Sequence, residues 1–201
     1  MIINKSNLDI SKFVGRDKTR PAINGIRFTE TGTVATDAFR LIEVAAPKYD
    51  TDMIPDIDKV PALDVSPVTA TVPVTITEQI KKQIGKGKTL PVSAFAGVSL
   101  KDREVELKTI NDDLNHTSQK GCTIDGDYPD YKQIIPKPAD ATNTVLINAQ
   151  YLRDVADYFI KYSVNKRIKM TTHGETRAVM FEGETEHGQA ILALVMPIQQ
   201  P

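Results

Sequence analysis

The feature that most constrains this chain is an order of elements that recurs three times: a short apolar strand, a short helix, then a run of strands. The first copy runs from Met1 to about Asp50. Ile2-Ile3 reads as a brief strand, Ser6 or Asn7 as the cap of a helix over Leu8–Val14, and Gly15 as its end. Strands over Ile23–Thr29 and Thr33–Ala46 follow, turned by Glu30-Thr31-Gly32. The second copy, Val68–Pro136, has a strand at Val72–Ile76, with Thr77 as cap of a helix over Glu78–Ile84 that Gly85 and Gly87 stop. Val98, Leu100, Val105 and Leu107 then alternate around Asp102-Arg103, which predicts a hairpin with one apolar face, and a further strand is expected near Asn115–Ile124. The third copy is the clearest. Val145-Leu146-Ile147 reads as a strand and Asn148 as a cap, and Leu152, Val155, Ala156 and Phe159 fall on one helical stripe. Strands over Ile168–Met170, Ala178–Phe181 and Gln189–Met196 follow, with turns at His173-Gly174 and His187-Gly188.

Between the first two copies, residues 47–67 hold Pro47, Pro55, Pro61 and Pro67 and no sustained periodicity, the composition of an exposed linker. Asp50, Asp52, Asp56, Asp58 and Asp64 in this stretch raise an acidic metal site as an alternative. They lack the glycine and terminal glutamate of a calcium loop, so no metal or other cofactor is expected.

Composition excludes several functions. With no tryptophan and few aromatics, a carbohydrate-stacking or aromatic-cage role is not expected. The single cysteine, Cys122, cannot form an internal disulfide and reads as a small buried hydrophobe, which fits a reducing, cytoplasmic setting. No apolar run approaches membrane length and no signal-peptide core follows Met1, so a soluble protein with no membrane role is expected. His116, His173 and His187 lie in separate hairpins or turns, and no nucleophile–base set emerges from the spacing. Gly85-Lys86-Gly87-Lys88-Thr89 looks like the end of a phosphate loop. Its required earlier glycine falls on Lys82, and it follows a helix rather than a strand. Glu182, Glu184 and Glu186 alternate as a solvent face. The chain reads as no enzyme.

Thr33–Pro47, TVATDAFRLIEVAAP, is a strand that breaks at Thr36-Asp37-Ala38-Phe39 and resumes at Arg40, because Thr and Asp oxygens compete for backbone amides and favour a sharp turn. Ile191–Ile198, ILALVMPI, is an apolar strand ended by Pro197. Together with Arg20-Pro21-Ala22-Ile23-Asn24-Gly25-Ile26 and Tyr128-Pro129-Asp130-Tyr131-Lys132-Gln133-Ile134-Ile135-Pro136, these stretches resemble the bacterial DNA polymerase III β sliding clamps. Those typically read ATDGHRLA where this chain has ATDAFRLI. The resemblance implies an α+β DNA-clamp fold, with antiparallel sheets outside and helices lining the inner face. It also implies a complete clamp domain over 1–136 (units 1–50 and 68–136) and a half domain over 137–201.

The cations cluster on and beside the predicted helices: Lys12, Arg16, Lys18 and Arg20; Lys81, Lys82, Lys86 and Lys88; Arg153, Lys161, Lys166 and Arg167. Read alone they are solvated helix faces. Around a hole, they would meet duplex DNA through its phosphates, without sequence preference. The chain lacks aromatic platforms beside these cations, so single-strand stacking is not expected. The resemblance further implies an apolar pocket for short peptides of a DNA polymerase and a clamp loader. Carried over residue by residue, it takes Thr36, Ala38, Phe39, Arg40, Leu41, Pro136, Leu194, Met196, Pro197 and Ile198. Phe39 stands for the usual histidine, and Gln199-Gln200-Pro201 for the usual basic and apolar ending. A ring of this family holds twelve units. Three units per chain therefore imply a homotetramer with dihedral symmetry, in which the third unit pairs with its own copy; a miscounted unit would give a trimer or a dimer. The alternatives are a clamp-derived adaptor that never closes a ring and, from another class, a metal-dependent hydrolase using the acidic linker.

Overall fold

The computed structural model describes residues 1–47, 67–135, 143–185 and 189–198. The acidic linker, Pro136, His187, Glu186 and the last three residues lie outside them. The described chain divides into two compact units, 1–130 and 131–201, each described by itself.

In the first unit, strand β1 (Ile2–Asn4) leads directly into helix α1 (Lys5–Leu8), and β2 (Gly25–Thr29), β3 (Gly32–Thr36) and β4 (Leu41–Ala45) follow. The order then repeats as β5 (Ala70–Pro73), α2 (Val74–Gln83), β6 (Phe95–Lys101), β7 (Glu104–Ile110) and β8 (His116–Cys122). The two repeats exchange their first strands. The sheets run β1-β6-β7-β8 and β5-β2-β3-β4, antiparallel throughout. One core therefore serves both repeats, with Ile3, Leu8, Ile26, Phe28, Val72, Ile80, Val98 and Leu107 all buried in a single cluster. The hairpin expected around Asp102-Arg103 forms, pairing Leu100 with Val105 and Val98 with Leu107.

Helix starts differ from expectation. Asn4 caps α1 in place of Ser6 or Asn7: its Oδ1 accepts from the amides of Ser6 (3.0 Å) and Asn7 (3.4 Å), and Asn7 Oδ1 accepts from the Asn4 amide (3.2 Å). The helix is then spent by Leu8, and Ser11–Phe13 forms a separate 3-10 turn. Asn7 turns inward instead. Fully buried, it donates through Nδ2 to the carbonyls of Val44 (3.1 Å) and Ala45 (3.0 Å), tying α1 to the β3–β4 hairpin. Helix α2 starts at Val74, not Glu78. Pro73 fixes an extended entry, and the Thr77 hydroxyl, far from capping, donates back to the Val74 carbonyl (3.1 Å) inside the core.

In the second unit, Asn148 caps α3 (Ala149–Tyr162) as expected, accepting from the Gln150 amide at 2.8 Å. A three-stranded antiparallel sheet, β9 (Lys169–Thr171), β10 (Val179–Glu184) and β11 (Ala190–Val195), lies in the order β11-β10-β9. Phe159 is the anchor. Its ring lies over Gly183, where a Cβ would come within 2.7 Å of Cε1, so the helix settles on bare backbone. The buried core is small, with Phe159, Val179, Phe181 and Val195. Val145–Ile147, expected as a strand, joins no sheet among the described residues; Leu146 accepts from the Ile198 amide at 2.8 Å.

Candidate functional surfaces

The break in the β3–β4 strand is a self-bonded turn. Thr36 Oγ1 donates to the Arg40 carbonyl (2.9 Å) and accepts from the Ala38 amide (3.1 Å), and Asp37 Oδ1 accepts from the amides of Phe39 and Arg40. Arg40 Nε returns to Asp37 Oδ2 at 2.9 Å, and this hydrogen bond holds the Asp37 carboxyl below its ordinary range. Ala38 sits at φ 73°, a left-handed conformation that glycine adopts without cost. The turn throws Phe39 outward, 97% exposed. Arg40 packs its guanidinium over the Phe13 ring (5.1 Å) and donates to the Lys12 carbonyl (2.8 Å).

Beside this turn lies a cleft of about 600 Å³. It brings together residues that the sequence separates by role. Lys12, Arg16 and Arg20, expected on DNA, share it with Ala38, Phe39 and Arg40, expected on a peptide. Four cations face two carboxylates, Asp17 and Asp37, so the cleft is basic. Thr36 is buried and Leu41 half-buried, and neither lines it. In the second unit β11 and the residues after it alternate: Val195 is buried, whereas Leu192, Leu194, Met196 and Ile198 are exposed. Leu194, Met196 and Ile198 are expected peptide contacts. Leu192 extends their stripe and was readable from the same period of two.

The expected DNA residues fall into two classes. Lys82, Lys86, Lys88, Lys18, Lys166 and Arg167 are exposed and make no ion pair among the described residues. Lys81 is different. Its ammonium bonds Glu78 (2.7 Å) and Asp9 (3.0 Å), and Ser11 Oγ donates to the same Glu78 carboxylate (2.7 Å). Burial works against the Lys81 charge, but the two carboxylates outweigh it and raise its pKa; the Lys81 hydrogen bond in turn lowers that of Glu78. Lys81 therefore joins the two repeats rather than offering a free cation. On α3, Arg153 reaches Asp157 (3.4 Å) and Lys161 Nζ lies 4.9 Å from the Tyr162 ring centre.

Two readings need correction. Tyr151, Tyr158 and Tyr162 are exposed on α3, with Tyr158 and Tyr162 centroids 4.8 Å apart, so one of these cations, Lys161, does have an aromatic neighbour. The i, i+7 and i, i+4 spacing of the three was visible in the sequence. Cys122 is exposed, not buried, because it ends an edge strand on its outward face. Among the described residues no group of three possible metal ligands occurs, and no helix is long and apolar enough to cross a membrane.

No protein-family model and no curated protein sequence matches the chain. Solved structures do. The chain superposes over 100% of its length on a DNA polymerase sliding clamp from Pseudomonas aeruginosa, with a TM-score of 0.69 and 17% identity. It has the sliding-clamp fold. The DNA polymerase III β chain of Streptococcus pneumoniae (TM-score 0.66, 16% identity) and the sliding clamp of Bacillus subtilis (0.65, 15%) each match 99% of the chain. It spans about half of each clamp's length, 52%, 49% and 49% respectively. The chain thus carries the clamp fold in a divergent sequence.

Proposed function

We propose that this protein is a non-enzymatic clamp that encircles duplex DNA as a homo-oligomeric ring of four chains and tethers replication proteins through short peptides. The observation that carries the reading is the match of the whole chain to sliding clamps. Its exposed cations support it: Lys82, Lys86 and Lys88 stand on or just beyond α2, and Lys166 and Arg167 follow α3, where each suits a phosphate rather than a base edge. For the peptide, Phe39 supplies an apolar anchor beside a basic cleft, so an apolar peptide carrying an acidic residue fits the first unit. Leu194, Met196, Pro197 and Ile198 on the second unit are proposed as further contacts, as is Pro136.

The test is binding of the full chain to unrelated duplexes over a salt series. Equal affinity for all sequences, falling steeply with salt, is expected; salt-independent or sequence-selective binding contradicts the reading. A second reading, an adaptor that binds peptides without DNA, draws on the prominence of Phe39. It predicts peptide binding that Phe39→Ala abolishes, with no duplex binding at any salt.

A further inference from the structure

In the first unit each repeat gives its first strand to the other repeat's sheet, and the pairs are alike. Ile3 lies opposite Ala96 and Met1 bonds Val98; Val72 lies opposite Ile26 and Ala70 opposite Phe28. All eight side chains are buried. The residue that caps each helix, Asn4 or Pro73, ends the exchanged strand and faces the start of the recipient strand.

The second unit holds one repeat, and its exchange is unfinished. Val145 and Ile147 stand before the Asn148 cap where Ala70 and Val72 stand before Pro73. The segment is already held as β5 is held. The Ile124 amide donates to the Thr71 carbonyl at 2.8 Å, two residues before the cap; the Ile198 amide donates to the Leu146 carbonyl at 2.8 Å, again two before the cap. In β5 this leaves the opposite edge, through Ala70 and Val72, to bond β2. In the second unit that edge has no sheet partner among the described residues, and β9 pairs only with β10. Ile168 and Met170, which match Ile26 and Phe28 in alternation, are 36% and 59% exposed. An apolar segment that packs half-buried on its own core through Val145 and Ile147 but joins no sheet among the described residues, and an open apolar edge, thus belong to one unit.

We propose that a second copy of this chain completes the unit: its Val145–Ile147 strand adds antiparallel to β9, and the exchange is returned across a dyad. In this register Ile147 lies opposite the partner copy's Ile168, and Val145 opposite its Met170. A second copy is the occupant because one dyad satisfies both open edges at once, in the arrangement the first unit uses within itself. The proposal deepens the ring reading by naming one of its interfaces, and that interface exists without DNA.

The test uses the full chain. Met170→Lys places a charge on the open edge, where a free surface tolerates it and a paired strand does not. The expected result is an unchanged circular-dichroism spectrum, self-association at least about 100-fold weaker in sedimentation, and a halved particle mass. In a Cys122→Ser background, Val145→Cys and Met170→Cys proteins mixed together should link into a two-chain product with a short bis-maleimide, while neither alone does. An unchanged mass for Met170→Lys, or no linkage in the mixture, overturns the proposal. So does linkage within a single chain carrying both cysteines, since the strand would then close on its own sheet. A two-chain particle that Met170→Lys dissociates supports the exchange and removes the four-chain ring, so the two readings fail separately.

Discussion

Lys81 and Lys82 are neighbours on α2 with opposite fates, and that contrast gives a paired prediction. Lys81 bonds Glu78 and Asp9, with its side chain 20% exposed and that of Glu78 30% exposed. Lys82 is exposed and unpaired among the described residues. Replacing each by Gln keeps an unbranched polar side chain of similar helix propensity and removes one charge. If Lys82 contacts a phosphate, Lys82→Gln lowers the slope of log binding constant against log salt by about 0.9. Lys81→Gln leaves that slope unchanged, because the lost charge was already neutralised, and instead costs about 1 kcal/mol of folding stability by stranding a half-buried carboxylate. Linkage gives the pH dependence. Glu78 has a lowered pKa, so the stability it draws from Lys81 is present above the ordinary carboxylate value, about 4.3. It is lost as pH falls through the lower folded value, so the difference between wild type and Lys81→Gln shrinks in acid. Fluorescence anisotropy on a duplex and urea unfolding read the two effects. Equal loss of salt slope in the two variants would refute the assignment of Lys81 as a structural tie.

Asn7→Asp sets a carboxylate oxygen against the carbonyls of Val44 and Ala45, and should cost about 3 kcal/mol at neutral pH. Burial raises the introduced acid's pKa, so unfolding in urea should show the penalty smallest at or below about pH 4 and full near pH 7. Ala38→Gly should raise the urea midpoint slightly, since relieving a left-handed alanine returns about 1–2 kcal/mol against about 0.5–1 of lost backbone restriction; Ala38→Val should lower it. Phe39→Ala should leave stability within about 0.5 kcal/mol while weakening peptide binding, because a side chain so exposed packs on almost nothing in the chain itself.

What the sequence disclosed was set by range. The Asp102-Arg103 hairpin and the Thr36–Arg40 turn are short-range events, governed by alternation and by oxygens two or three residues from the amides they accept from. On α3 the Asn148 cap and the Phe159 anchor were legible for the same reason, whereas Leu152 of the expected stripe stays exposed, because the small core of this unit reaches the helix mainly at Phe159. The start of α1 was ambiguous because Asn4, Ser6 and Asn7 are all good caps, and tertiary burial of Asn7 decided among them. The strand exchange was invisible: Ile2-Ile3 is equally suited to any apolar edge, and its partner β6 lies more than 90 residues away. Lys81 read as a free cation because Asp9, 72 residues away, shares no local pattern with it. The basic cleft was hidden likewise, since Arg16 and Phe39 meet only once β3 and β4 have folded back on the preceding loop.

The central claim is encirclement, and topology tests it more directly than affinity. The protein is assembled around a nicked circular duplex from dissociated subunits, washed in moderate salt, and the circle is then cut once. A closed ring stays on the intact circle and leaves the cut one within the time of one-dimensional diffusion to an end. Equal retention on cut and uncut DNA, or equal loss from both, would contradict the account.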